Sequence, residues 1–396
     1  VTVERPLLLS PIDLRSLRLR NRIVISPMCQ HAAEEGRATD WHLVHLGKFA
    51  LGGAGLILTE STAVSPEGRI GTADLGLWCD SHVAPLRRVV DFVHAQGSAI
   101  GVQLAHAGRK AGSHPLWHGG RAFSADELSA LGWPRIAPSP IAAGPGWSVP
   151  EAMKAPDIDR VIEDFAASAR RAEAAGFDAA ELHFGHGYLI ASFLSPLSNR
   201  RDDPYGGSRE GRMRLALEVA ARVRAEWPAA KPLFCRISAV DGAEGGWGIA
   251  DSIVLARALR EVGADVIDVS SGGLTEETRR IAVPRGPGFQ TGFAEAIRRD
   301  AGVTTQAVGM ILDGPQAEAI LQAGQADLVA IGREALRDPY WPRRAAEQLG
   351  IEDDYADWPE RHGAWLAKRE QGMGTVLRAR RRAVARLAQD EGKETA

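Results

Sequence analysis

Along the chain, short apolar and β-branched runs alternate with longer stretches whose apolar positions recur every three or four residues. The first kind predicts strands and the second amphipathic helices. Eight runs read as strands: Asn21–Ser26, Gly55–Glu60, Ser98–His106, Phe177–Phe184, Pro232–Ser238, Ala264–Ser270, Thr304–Met310 and Ala326–Gly332. Several are almost continuously apolar, as suits strands covered on both faces. Helical spacing predicts helices over Ala84–Gln96, Ile158–Ala175, Arg209–Trp227, Ile249–Val262, Phe293–Asp300 and Pro315–Ala323. The pairs Ala175-Gly176 and Ala323-Gly324 look like helix C-caps leading back into strands. Eight alternations without a break in composition predict one α/β domain, a (β/α)8 TIM barrel over residues 1–366.

Two regions fall outside the alternation. Residues 107–156, rich in Gly, Pro and Trp, are far longer than a usual βα connection and read as a capping loop. Residues 367–396 form a C-terminal extension, helical or disordered, whose basic run Leu377–Leu387 precedes an acidic end. That run reads as a surface face rather than a nucleic-acid or membrane contact, because it is short and the whole chain is slightly acidic.

Composition adds little that is specific but excludes several classes. The 396 residues are 45% hydrophobic and 24% charged, with formal net charge −3. That balance gives no electrostatic reason to expect nucleic acid or an anionic membrane as partner. No run reaches the roughly 18 apolar residues of a membrane span, and Val1–Ser10 does not resemble a signal peptide. Cys29, Cys79 and Cys235 lie far apart, without CxxC spacing, so a disulfide framework or cysteine-built metal site is not expected. A cytoplasmic location follows as the default expectation.

In such a barrel, chemistry sits at the C-terminal ends of the strands. Those ends read Ser26-Pro27-Met28-Cys29, Glu60-Ser61, Gln103 to His106, His183 to His186, Arg236, Ser270 to Gly273, Gly309-Met310 and Gly332-Arg333. Gly309, Gly332 and Arg333 close strands seven and eight, where barrels often bind phosphate through backbone N–H groups and a forked guanidinium. His183 and His186 stand in HFGHGY. The pair could ligate a metal, as in a metal-dependent barrel lyase, but no third ligand is evident nearby. As neutral imidazoles they would instead donate hydrogen bonds to an oxygen gaining negative charge, with the Tyr188 phenol as a proton source.

The segments NRIVISPMCQ, GGAGLILTE, SPEGRI, QLAHAGRK, ELHFGHGYLIASFLSPLSNRRDDPYGGS, DVIDVSSGG and DLVAIGREALRDPYW occur in this order from about Leu8 to Ala346. Together they resemble the old yellow enzyme family, in particular its thermophilic-like branch with a cysteine beside the flavin. The resemblance implies an FMN-dependent ene-reductase reducing the C=C bond of α,β-unsaturated carbonyl or nitro compounds by ping-pong kinetics. FMN would be bound tightly and non-covalently, and NADPH, or NADH, would be a transient reductant. No GxGxxG follows a strand, consistent with a nicotinamide that has no Rossmann domain of its own.

By the same resemblance, Ser26, Pro27, Met28 and Cys29 lie against the isoalloxazine, the Ser61 backbone meets it, and Gln103 and Arg236 bond its pyrimidine edge. Gly309, Gly332 and Arg333 hold the phosphate. His183 and His186 bind the substrate carbonyl, Tyr188 protonates the α-carbon, and Ile70 and Lys110 form the pocket rim. A homodimer or homotetramer is expected, and either Trp358 or Trp365 is similar to a tryptophan that reaches a neighbouring active site in some relatives. Three features depart from the pattern: His31 replaces the usual Tyr in the substrate pocket, the 107–156 loop is long, and the C-terminus is extended. A flavin enzyme of aromatic catabolism with another substrate remains the alternative within the fold.

Overall fold

Inward-facing positions of several barrel strands, from Phe234 to Arg236 and Ser238 and from Val266 to Asp268 and Ser270, change from apolar to polar toward the C-terminal end. The structure is a computed structural model describing residues 5–275, 283–351 and 355–394. It divides into two compact units, Val1–Leu349 and Gly350–Ala396. The second begins ahead of the 366/367 division read from the sequence.

In the first unit eight parallel strands close a barrel: β1 (Ile23–Ile25), β2 (Leu56–Ala63), β3 (Ala99–Ala105), β4 (Ala179–Phe184), β5 (Leu233–Ser238), β6 (Val266–Ser270), β7 (Thr304–Val308) and β8 (Leu328–Ile331). Each pairs with the next in sequence, and β8 pairs with β1. All eight coincide with predicted runs, trimmed by up to two residues at an end, except that β2 runs three residues beyond Glu60, to Ala63. The helices between them are α1 (Asp40–Leu51), α2 (Val83–Ala95), α3 (Ala155–Ala175), α4 (Arg209–Glu226), α5 (Ile249–Glu261), α6 (Thr291–Ala301), α7 (Gly314–Gln322) and α8 (Trp341–Gln348). As the Ala-Gly pair predicts, Gly176 ends α3 at φ 93°, its N–H returning to Ala172 and Glu173 carbonyls. Among the described residues, no helix is long and apolar enough to cross a membrane.

Period-two alternation puts Phe234, Arg236 and Ser238 on one face of β5, and Val266, Asp268 and Ser270 on one face of β6. At the N-terminal end the interior is apolar: Val24, Leu56, Leu58, Ala179, Phe234, Val266 and Leu328 pack with Leu14 and Leu19. These two leucines come from an antiparallel hairpin, Ile12–Leu14 with Leu17–Leu19, which plugs the barrel bottom. Neither the hairpin nor α1 stood out in the hydrophobic pattern. Three-residue strands are too short for a period, and α1 buries His42 and His45 along with its apolar residues.

The 107–156 connection is ordered into a cap with its own small core of Ala107, Ala111, Phe123, Leu128 and Trp133, against which Ile70 and Tyr188 pack. The buried Arg135 ties it together, donating to the carbonyls of Ala111 (2.7 Å), Gly112 (2.8 Å) and Phe123 (3.2 Å). In the second unit the chain runs as a helix over Glu360–Glu394, with Tyr355 Oη donating to Glu370 (3.1 Å).

Candidate active site

The polar ends of the strands open into a cavity of about 720 Å³, within the range of small-molecule and cofactor sites. Ten of the residues singled out in the sequence line it: Ser26, Pro27, Met28, Lys110, His186, Tyr188, Arg236, Gly309, Gly332 and Arg333. Cys29, His31, Ser61, Ile70, Gln103 and His183 are not on its wall but connect to residues near it. Gln103 pairs with Ser61 across β2 and β3, and Ile70 packs with Tyr188 in the cap. Trp358 and Trp365 belong to the second unit, where Trp358 meets Tyr355 edge-on and Trp365 is exposed.

Below the cavity, register dictates the contacts. Gln103 is opposite Glu181, His183 opposite Arg236, and Arg236 opposite Asp268. Accordingly Gln103 Nε2 donates to Glu181 Oε1 (2.7 Å), Arg236 Nε lies 3.3 Å from Asp268, and Arg236 Nη1 donates to Ser26 Oγ (3.1 Å). Glu181 and Asp268 are fully buried. Burial pushes both carboxyls up, and the Asp268 charge pushes Glu181 further, although Arg236 pulls both down. Both carboxyls are therefore biased toward the protonated form, Glu181 more strongly because the Asp268 charge adds to its burial.

His183 is the penultimate residue of β4, and the turn after the strand carries His186 at φ 59°, a left-handed conformation costly for a side chain of this size. The turn is held by Ser238 Oγ, which accepts from His186 N–H (2.8 Å), and by Lys110 Nζ, which donates to His186 O (2.8 Å). Lys110 also donates to Gly273 O. His186 Nδ1 lies 3.2 Å from His183 Nε2, and His186 Nε2 lies 2.7 Å from Ser270 Oγ. Burial holds both imidazoles well below the usual range; His186 adds to this for His183, and Arg236 and Lys110 do so for both. Both rings are therefore neutral. The Tyr188 ring stands edge-on to His183 at 5.1 Å, with Lys110 Nζ 5.7 Å from its centre.

On the neighbouring strand ends, Glu60 Oε2 accepts the Gln30 N–H (2.6 Å), and Asp74 accepts those of Ile70 (2.7 Å) and Gly71 (2.9 Å). Desolvation, then the charges of Asp74 and Glu60, push the Cys29 thiol well above its ordinary value, so it stays a thiol. Sequence reasoning missed Asp74 and Gln290. Asp74 is marked only by a short GTADLG stretch, and Gln290 by nothing in its surroundings. Among the described residues, no group of three or more His, Cys, Asp or Glu side chains is placed to hold a metal ion. Among those residues the lyase reading has no ligand set.

Comparison with known proteins bears on the family and the fold. Residues 7–352 match the model of the NADH:flavin oxidoreductase / NADH oxidase family. An NADPH dehydrogenase of Geobacillus sp. strain WCH70 is 45% identical over 346 residues, which are 87% of this chain and 95% of that protein. Among solved structures, morphinone reductase is similar at TM-score 0.74 and 28% identity, covering 89% of this chain and 92% of that one. An old yellow enzyme homologue from Zymomonas mobilis gives TM-score 0.73 at 26% identity, over 89% and 96% of the two chains.

Proposed function

The chain belongs to the NADH:flavin oxidoreductase / NADH oxidase family, as an old yellow enzyme homologue, and from that premise we propose that it is an NADPH-dependent FMN ene-reductase. Its substrates are α,β-unsaturated carbonyl or nitro compounds, reduced at the C=C bond, and its setting is the cytoplasm. The observation that carries this reading is the neutral pair His183 and His186 beside Tyr188, at a cavity whose wall also carries Ser26, Pro27, Met28 and Arg236.

The residues fit a flavin. A β-carbon at Gly332 would find only Met28 Sδ at 3.9 Å and Ser26 Cβ at 4.0 Å, so the glycine leaves open space on the cavity wall. Arg236 Nε is buried without a hydrogen bond of its own. In this reading Ser26, Pro27, Met28, Cys29, Ser61 and Gln103 hold the ring, while Gly309, Gly332 and Arg333 hold the phosphate. Arg236 supplies a cation beside the pyrimidine edge, which favours an added negative charge there. When bound, FMN would supply hydride-transfer chemistry between NADPH, or NADH, and the substrate.

The chain's own groups do the rest. His183 and His186, kept neutral by burial and by Arg236 and Lys110, donate N–H hydrogen bonds to the substrate oxygen without transferring a proton to it. The Tyr188 hydroxyl delivers a proton to the α-carbon. Lys110, Ile70 and His31 shape the rim. The assembly is a homodimer or homotetramer in which Trp358 or the exposed Trp365 reaches a neighbouring site. Anaerobic titration with NADPH and then cyclohexenone tests the reading: the yellow colour bleaches and returns. A colourless protein that takes up no FMN would refute it.

A further inference from the structure

The hydrogen bonds around the histidine pair are ordered, and their order has a direction. The Gly185 N–H donates to His183 Nδ1 (3.3 Å), so His183 carries its proton on Nε2. That proton points at His186 Nδ1 (3.2 Å), which is therefore bare, and the His186 proton sits on Nε2. His186 Nε2 donates in turn to Ser270 Oγ (2.7 Å), whose own proton is left for Gln290 Oε1 (3.4 Å). The Gln290 amide orientation is set from both ends: Oε1 accepts from Ser271 Oγ (2.6 Å), and Nε2 donates to Val308 O (2.9 Å). Every donor in the chain has one acceptor.

In this state neither imidazole has a spare N–H for an oxygen in the cavity. The His183 proton is spent on His186, and the His186 proton on Ser270. An oxygen seated between the rings needs a donor from each. His183 already aims Nε2–H there, whereas His186 must carry its proton on Nδ1. The backbone on either side of His186 is tied to Ser238 and Lys110, so the residue stays in place and the change falls on the tautomer.

We propose that Ser270 and Gln290 are positioning residues that let His186 reverse its tautomer when an oxyanion binds. The proposal rests on the reading of His183 and His186 as the oxyanion pair. The proton leaves Nε2 and is restored on Nδ1 of the same ring, with no net uptake or release. The Ser270 hydroxyl turns from the long contact with Gln290 and donates to the bare Nε2. Gln290 Oε1 keeps the Ser271 hydroxyl, so no buried acceptor is orphaned by the turn. Burial and the charges of Arg236 and Lys110 disfavour the imidazolium as an alternative way of presenting both N–H groups.

The test uses the flavin-loaded protein labelled with [15N]histidine, free and saturated with p-hydroxybenzaldehyde, whose phenolate presents the required oxygen. Protonated and bare ring nitrogens resonate far apart, and the His186 signal is assigned by its loss in His186→Gln. The expected result is Nε2–H in the free protein and Nδ1–H in the complex, with His183 unchanged. Ser270→Ala should blur the tautomer preference in both states and weaken phenol binding by about three- to tenfold, the worth of one hydrogen bond. If the phenol shifts the flavin spectrum while His186 keeps one tautomer, or becomes an imidazolium, the proposal fails and the oxyanion pair stands. If the phenol does not bind at all, the oxyanion reading falls and the proposal with it.

Discussion

His31 Nδ1 lies 2.6 Å from Asp74 Oδ1, so the residue replacing the usual tyrosine is fastened to a buried carboxylate. The other Asp74 oxygen takes the N–H groups of Ile70 and Gly71, joining His31 to a segment packed against the cap. Trp117 meets the imidazole edge-on at 5.6 Å.

The pH dependence of this pair follows from its charges. Burial lowers the His31 pKa, but the hydrogen bond and charge of Asp74, helped by Glu60, outweigh it and raise the net value. A folded pKa above the unfolded one means that the contribution to stability is full below about pH 6.5 and lost as pH rises through the folded value. His31→Asn suits the left-handed backbone there, at φ 49°. The melting temperature of wild type should exceed that of His31→Asn by more at about pH 5.5 than at about pH 9. A pH-independent gap would show that the pair carries no charge linkage.

Tyr188→Phe removes only a hydroxyl from a ring packed against the cap, so folding should survive. Stopped-flow measurements should find the alkene half-reaction slowed by about 10²-fold or more, with flavin reduction by NADPH little changed. Equal losses in both half-reactions would remove Tyr188 from the proton-donor role.

Replacing either His183 or His186 by Ala should weaken phenol binding by about 10- to 100-fold, the range for a hydrogen bond to a charged group. The double variant should lose less than the product of the two, because the rings bond each other. Since both imidazoles are held neutral, wild-type phenol affinity should follow the phenol's own ionisation and show no histidine titration from this pair. Unchanged affinity in the double variant, read by spectral titration, would take the pair out of the carbonyl site.

Gly309 stands at φ 122°, and a β-carbon there would meet Gln290 Nε2 at 2.7 Å and Phe289 Cε1 at 3.0 Å. Gly309→Ala should cost about 1–3 kcal/mol of stability through backbone strain and should lower the flavin bound per chain. Thermal melting and the ratio of visible to ultraviolet absorbance check the two effects. Full flavin occupancy would argue against a phosphate site at Gly309.

Much of the barrel is legible in the sequence because its information is local. Eight buried strands appear as apolar runs, and helices such as α3 carry a three- and four-residue stripe ended by a glycine. The hairpin Ile12–Leu14/Leu17–Leu19 escapes because its strands are shorter than any period. The cap is legible only as a long loop over residues 107–156, because its internal order comes from Arg135 gathering three carbonyls rather than from a repeating pattern. At the site, His183, His186 and Tyr188 are visible as one motif on one turn. The partner of His31 is not, since Asp74 comes from a different strand end.

The sequence by itself determined the strand and helix periods, the glycines that permit left-handed turns, and the chemical types gathered at the strand ends. These are properties of one residue and its near neighbours, set by side-chain direction and backbone sterics. Tertiary structure alone decided protonation and direction. Closure of the barrel set His183 opposite Arg236 and Arg236 opposite Asp268, and brought Ser270 to within 2.7 Å of His186 Nε2. Burial and charge at those distances lower the imidazole pKa values and raise that of Glu181, because desolvation and Coulomb interactions depend on separation in space rather than along the chain.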